Sequence, residues 1–210
     1  MDLVNDRYTI QGVDLVELTE TYGSPLYVYD ADKIEAQFKK LTSAFSGVKM
    51  KVKYATKALT NISILKLLRS IGSELDCVSI QEVQLGLKAG FEPNQILYTP
   101  NCVSISEIKE AVELGVMINL DNISILEQFG NEFHDTVPVC IRLNPHIMAG
   151  GNKKISTGHA DSKFGISIYQ LQHIVRVVNT YGLNVTGLHM HTGSDILDAE
   201  VFLRAAAILF

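Results

Sequence analysis

Lys53-Tyr54-Ala55-Thr56-Lys57-Ala58-Leu59 is the stretch from which the fold of this chain is read. It closes an apolar, strand-like segment marked by Val48, Met50, Val52 and Tyr54. It precedes a run with helical spacing, Ile62, Ile64, Leu65, Leu67 and Leu68. Lys57 is therefore expected at the carboxyl end of a parallel strand, where the chain turns into a helix. In an α/β barrel that rim is where chemistry is assembled. A lysine held there and partly desolvated loses its proton and condenses with a carbonyl group. The plainer alternative is a solvated lysine in a strand-to-helix loop, since most lysines lie at the surface.

The same unit recurs along the chain. Short β-branched runs alternate with longer amphipathic ones, the pattern of βα units on a parallel sheet. Upstream, Leu26-Tyr27-Val28-Tyr29 reads as a strand, and Asp30 as the cap of a helix carrying Ile34, Phe38 and Leu41. Downstream, strands are expected at 75–79, 96–98, 116–120, 137–143 and 185–191. Helices are expected at 65–71, 81–88, 107–114 (capped by Ser106), 123–129 and 168–181, with another beginning at Asp198. Counting from the Lys57 strand gives about six barrel strands, whereas a closed barrel of this kind needs eight. The last helix runs out on Ile208-Leu209-Phe210 without a terminator. The expected fold is α/β, a (β/α)8 TIM-like barrel that is incomplete, within a piece of a larger protein. An open doubly wound sheet is the alternative.

Composition narrows the function. A chain of 210 residues with 47% hydrophobic content buries a sizeable core in about one domain. Net charge is −5, with charges scattered and no basic stripe, so nucleic acid is not an expected partner. The longest apolar runs are strand-sized, and no membrane association is expected. Met1-Asp2-Leu3-Val4-Asn5-Asp6 lacks the basic and apolar regions of a signal peptide. Cys77, Cys102 and Cys140 are odd in number and show no metal-binding spacing. They read as buried free thiols in a reducing cytoplasm, and a cytoplasmic protein is expected.

Three further sites carry chemistry. In Gly187-Leu188-His189-Met190-His191-Thr192-Gly193-Ser194, strand alternation puts His189 and His191 on one face, aimed into the barrel. A turn plus the Ser194 hydroxyl makes a partial phosphate cradle, and an imidazole can lie against an aromatic ring. His-x-His zinc chelation and core histidines bonded to backbone are the alternatives. Arg142 interrupts the apolar run Val137-Pro138-Val139-Cys140-Ile141-Arg142-Leu143 and needs an acceptor, either a structural carboxylate or an anionic ligand. Asp76 poses the same question with opposite sign: it steadies Lys57 or a histidine, or it pairs with Arg142. The long connection 154–166, with Lys163 near its end, is either a functional loop or a surface excursion.

Taken together, these blocks resemble a known family. Tyr54-Ala55-Thr56-Lys57-Ala58-Leu59 is similar to the cofactor-lysine motif of the pyridoxal-phosphate-dependent decarboxylases with an alanine-racemase-like barrel. Glu74-Leu75-Asp76-Cys77-Val78-Ser79-Ile80-Gln81-Glu82, Ile141-Arg142-Leu143-Asn144-Pro145 and the 187–194 block follow in the right order. Lys154-Ile155-Ser156-Thr157-Gly158, with Ser162-Lys163-Phe164-Gly165-Ile166, resembles the diaminopimelate decarboxylase branch. The resemblance implies that Lys57 carries pyridoxal 5'-phosphate as a Schiff base. His191 would stack on the pyridine ring, Ser194 would help bind the phosphate, and Asp76, Arg142 and Lys163 would surround the cofactor. It further implies a small amino acid substrate, with meso-diaminopimelate decarboxylated to L-lysine, and a homodimer at full length. The same scaffold also serves ornithine, arginine and carboxynorspermidine, and a non-catalytic cofactor-binding protein is a rival of another class. Residues 1–30 would pair with a carboxyl-terminal β-domain absent here, leaving 31–210 as a partial cofactor-binding barrel. Family members run to about twice this length. The rest holds the glycine-rich phosphate loop, the glutamate facing the pyridine nitrogen and the substrate-carboxylate residues. The 210-residue chain alone is therefore expected to be inactive.

Overall fold

In a computed structural model, residues 1–147, 163–194 and 196–210 are described. The chain opens with an antiparallel meander, β1 (Asp2–Val4), β2 (Arg7–Ile10) and β3 (Val13–Asp14), followed by α1 (Leu15–Tyr22). Asn5 and Asp6 (φ 50° and 58°), then Gln11 and Gly12 (φ 52° and 77°), make its two-residue turns. Two successive positive φ values match the right-handed twist of the flanking strands. The expected strand at 26–29 does not form. Leu26 to Tyr29 find no neighbouring strand, and Tyr27 remains 85% exposed. Strand-forming residues need a paired, half-buried surface, and none is offered to them here. Asp30 does cap the next helix, α2 (Ala31–Ala44), its carboxylate accepting from Lys33 N.

A parallel sheet follows. Its strands are β4 (Lys53–Ala55), β5 (Glu74–Cys77), β6 (Ile96–Tyr98), β7 (Met117–Leu120), β8 (Val139–Asn144) and β10 (Val185–Met190), hydrogen-bonded side by side in chain order. The short β9 (Ile166–Ser167) pairs with β8 off this path. Between the strands run α3 (Ile62–Ser70), α4 (Ile80–Lys88), α5 (Ile105–Glu113), α6 (Ile123–Phe133) and α7 (Leu171–Tyr181), with α8 (Ala199–Leu209) last. Strand order without reversal is the order of a barrel wall and lacks the switch point of a doubly wound sheet. β4 and β10 lie at opposite ends of the path, so the wall is not closed.

Register sorts the side chains into two faces. Leu75 is opposite Ile96, Cys77 opposite Tyr98, Ile118 opposite Val139, and Leu120 opposite Ile141. These residues are buried against Leu65, Val83, Ile108, Leu126, Phe129 and Ile174 of the helices, and this layer is the core. The alternate residues, Asp76, Thr99, Asn119, Arg142 and His189, occupy the other face, as the period of two requires. Local signals start the helices: the side chains of Asn61, Ser79 and Asn122 accept from their first-turn amides. Ser104, not Ser106, stands at the cap of α5, and the two hydroxyls lie 2.7 Å apart. Cys102 is also a correction. It is exposed at φ 58° in the turn after β6, while Cys77 is buried and Cys140 partly so.

The α6–α7 contact is tight at Gly130, where an added Cβ would come within 2.7 Å of Tyr181 Cγ. That atom sits near the root of the side chain and cannot swing aside. Gly130→Ala is therefore expected to destabilise the fold by about 1–3 kcal/mol, as overpacking does. A lowered urea midpoint at unchanged slope checks this, and an unchanged midpoint contradicts it.

Candidate active site

The carboxyl ends of the strands gather the polar residues. After β4 the chain makes one 3-10 turn, Thr56–Ala58, that carries Lys57. Thr56 is fully buried, with its hydroxyl 3.4 Å from Cys77 Sγ on β5. This contact pins the turn to the sheet and leaves Lys57 exposed on the rim. Ala55 is in register with Asp76, so the lysine stands just beyond the aspartate at the wall's open end.

From Asp76 a chain of hydrogen bonds crosses the inner face. Thr99 Oγ1 donates to Asp76 Oδ1 at 2.6 Å, and Asn119 Nδ2 donates to Thr99 Oγ1 at 3.2 Å. The same Nδ2 lies 2.7 Å from Nδ1 of His189 on β10. Asn119 is fully buried, and its Oδ1 has no hydrogen-bond partner. His189 is in register with Arg142, which is 7% exposed. The Arg142 guanidinium lies 4.9 Å from the centre of the Phe164 ring. Among the described residues no ion pair includes Arg142. Asp76 takes its hydrogen bond from Thr99, and Asp121 takes one from Asn101 Nδ2 at 2.5 Å. Among the described residues, the structural salt bridge that the sequence left open for this arginine does not form.

The block after β10 turns at the same rim. His191 Nδ1 accepts from Gly193 N at 3.2 Å, Thr192 is buried and Ser194 is exposed. Met190 to Gly193 line a cavity of about 320 Å³ that Phe202, Ala205 and Leu209 of α8 also line. Lys163 is exposed, and its ammonium lies 5.0 Å from the centre of the Phe164 ring. The motif Lys154-Ile155-Ser156-Thr157-Gly158 lies outside the described residues.

The electrostatics follow from burial and from two cations. Burial raises the Asp76 carboxyl above the ordinary range, against the Thr99 hydrogen bond and the charges of Lys57 and Arg142. Burial pushes His189 down to about 4, helped by Arg142, His191 and Lys57. His191 is lowered by burial and then by the same two cations. The mouth thus sets neutral imidazoles beside a guanidinium and an exposed amine, an environment suited to an anionic or carbonyl ligand. Among the described residues no group of three or more His, Cys, Asp or Glu converges as a metal site requires. Burial pushes the Cys77 thiol up to about 12, so it is unreactive.

Thr99, Asn119 and Asp121 were not singled out from sequence. The signal for Asn119 and Asp121 is the polar half of the alternation in Met117-Ile118-Asn119-Leu120-Asp121, hidden because the run reads as apolar overall, and Thr99 is a single polar residue at the end of Ile96-Leu97-Tyr98.

His189 sets a pH dependence. Its folded-state pKa of about 4 lies below the ordinary 6.5, so the unfolded chain takes up the proton first. Stability therefore falls as pH drops between those values. The raised Asp76 works in the opposite direction at the acid end. The loss from His189 is at most roughly 3–4 kcal/mol, at about 1.4 kcal/mol per unit. His189→Gln is expected to flatten the acid side of a stability–pH curve, and a curve of unchanged slope would contradict the assignment.

Comparison with known proteins places this geometry. Residues 31–209 match the model of the pyridoxal-dependent decarboxylases' pyridoxal binding domain. Diaminopimelate decarboxylase of Methanothermobacter thermautotrophicus is 39% identical over 98% of this chain and 49% of its own length. That of Staphylococcus aureus is 36% identical over 98% and 50%. Among solved structures, diaminopimelate decarboxylase from M. jannaschii in co-complex with L-lysine superposes with TM-score 0.87 at 29% identity, over 99% of this chain and 51% of that one. The Helicobacter pylori enzyme complexed with L-lysine gives TM-score 0.81 at 33% identity, over 93% and 54%. The chain spans about half the length of the curated relatives it matches. A barrel wall with a lysine on its rim, matched across nearly its whole length, belongs to the pyridoxal-dependent decarboxylases, whose cofactor is pyridoxal phosphate.

Proposed function

We propose that this chain provides the cofactor-holding wall of a diaminopimelate decarboxylase, which converts meso-diaminopimelate to L-lysine and carbon dioxide. The observation that carries the reading is Lys57, an exposed amine at the end of β4, beside a mouth lined by Asp76, Arg142 and two lowered histidines. The relatives that share this stretch are named for that reaction.

The residues fit pyridoxal phosphate. A primary amine faces solvent at the rim, and a buried amide oxygen of Asn119 is left without a partner in the polar face. When bound, the cofactor supplies an electron sink for the pair left behind when the substrate carboxylate departs. Lys57 would hold it through the side-chain amine. His191, whose Nδ1 accepts from the Gly193 amide, would help hold the cofactor ring, and the exposed Ser194 hydroxyl would help hold its phosphate. Arg142 offers an uncommitted cation to anionic groups. Asp76 balances that charge, and Lys163 lies at the margin, beside Phe164.

Around this wall the proposal extends to the whole enzyme. The amino-terminal segment, residues 1–30, whose Leu3, Val4, Tyr8 and Val13 are exposed, packs in this proposal against a β-domain supplied outside these 210 residues. The complete protein works as a homodimer in the reducing cytoplasm. No helix among the described residues is long and apolar enough to cross a membrane.

Mixing the protein with pyridoxal phosphate is expected to produce an absorbance band near the visible edge that Lys57→Ala abolishes. Persistence of the band in the variant would show that Lys57 is not the carrier. In the complete enzyme, carbon dioxide release from meso-diaminopimelate should exceed release from ornithine or arginine, and the reverse order would reassign the substrate. The wall is open between β4 and β10, so the 210-residue chain by itself is expected to give no turnover. Measurable release from that chain would contradict this.

A further inference from the structure

The Asp76–Thr99–Asn119–His189 chain has a direction, and the direction fixes the state of one imidazole. Thr99 has a single hydroxyl proton, and at 2.6 Å from the Asp76 carboxylate that proton belongs to Asp76. Burial raises the Asp76 carboxyl, but the Thr99 hydrogen bond, Lys57 and Arg142 oppose that rise, and the direction of the chain follows from the ionised, acceptor-only form that these three favour. The Thr99 oxygen can then only accept from Asn119, 3.2 Å away, and this settles which end of the amide faces it. With the amide reversed, two oxygens would oppose each other with no proton between them. The NH2 group so placed has a second proton, and Nδ1 of His189 lies 2.7 Å from the same nitrogen. That ring nitrogen must present a lone pair.

We infer that Asn119 is a positioning residue that holds His189 as a neutral imidazole with its proton on Nε2. The orphaned Oδ1 of Asn119 is the cost of this orientation, since a buried acceptor without a donor is unfavourable. What the arrangement achieves is charge control. Arg142 and Lys57 face His189, with His191 beside them, and a second ring proton, on Nδ1, would add a further cation to those two. An amide N–H aimed at that nitrogen blocks the proton, while the Nε2–H remains a donor on the inner face. The inference rests on these contacts alone and not on the substrate or cofactor assigned above.

The test is histidine nitrogen NMR. In protein labelled with 15N-histidine, two-bond proton–nitrogen correlations at neutral pH report the tautomer of each ring, and His189→Gln identifies the signal. The expected result is a single His189 tautomer with Nδ1 in the unprotonated range and Nε2 in the protonated range. Asn119→Asp offers only acceptors to the ring, so the proton should move to Nδ1 and the imidazole should titrate at higher pH. Thr99→Val removes the acceptor that orients the amide and should yield a mixture of tautomers. A merely structural role for Asn119 would leave the tautomer unchanged in every variant. Protonated Nδ1 in the unmodified protein overturns the inference. So does an unaltered Nε2–H tautomer in Thr99→Val, whose small change of shape keeps the test available if Asn119→Asp does not fold.

Discussion

Burial of one face of the parallel sheet against the helices is the constraint on which the rest of this molecule depends. Each strand from β5 to β8 must turn alternate residues toward α3 to α7. Those residues, from Leu75 and Cys77 across to Ile141 and Leu143, are apolar and closed to water. Area burial of this kind supplies the main favourable free energy of the fold. It also leaves the intervening residues without a packing duty. Asp76, Thr99, Asn119, Arg142 and His189 occupy those positions because the helices, not they, stabilise the wall. A period of two thus separates stability from chemistry on the same strands.

Polar groups on the inner face still have to be satisfied, and they are satisfied mostly by one another. The hydrogen-bond chain from Asp76 to His189 spans three strand ends and one imidazole. Such chains are costly when broken, because each member loses its partner in a medium that screens little. Arg142 stands apart. Its guanidinium rests near Phe164 and, among the described residues, is balanced through space by Asp121 and Asp76 rather than by a direct ion pair. A buried cation left in that condition points to a ligand.

The strands and helices of the sheet were legible because their local signals agree with their packing. Ile96-Leu97-Tyr98 is strand by composition and by burial, and Asn122 caps α6 just where its side chain accepts from Ile125 N. Lys57 was legible for the same reason, as a charge at a strand end before a helix. The meander at the start was not read, because Asn5-Asp6 and Gln11-Gly12 reveal themselves only through positive φ. Leu26 to Tyr29 misled in the opposite sense: β-rich composition cannot supply a pairing partner. Thr99 and Asn119 went unnoticed because a threonine or asparagine in an apolar strand acquires meaning only when neighbouring strands bring the next group to it.

In the proposed function the rim lysine gives the wall its chemical purpose, and covalent trapping examines that role most directly. Treating the protein with pyridoxal phosphate, reducing it with borohydride and sequencing the peptides by mass spectrometry locates the attached cofactor. The account predicts the added mass on Lys57, in the peptide that follows β4. Attachment to another lysine, such as Lys53 or Lys163, with Lys57 unmodified, would contradict it.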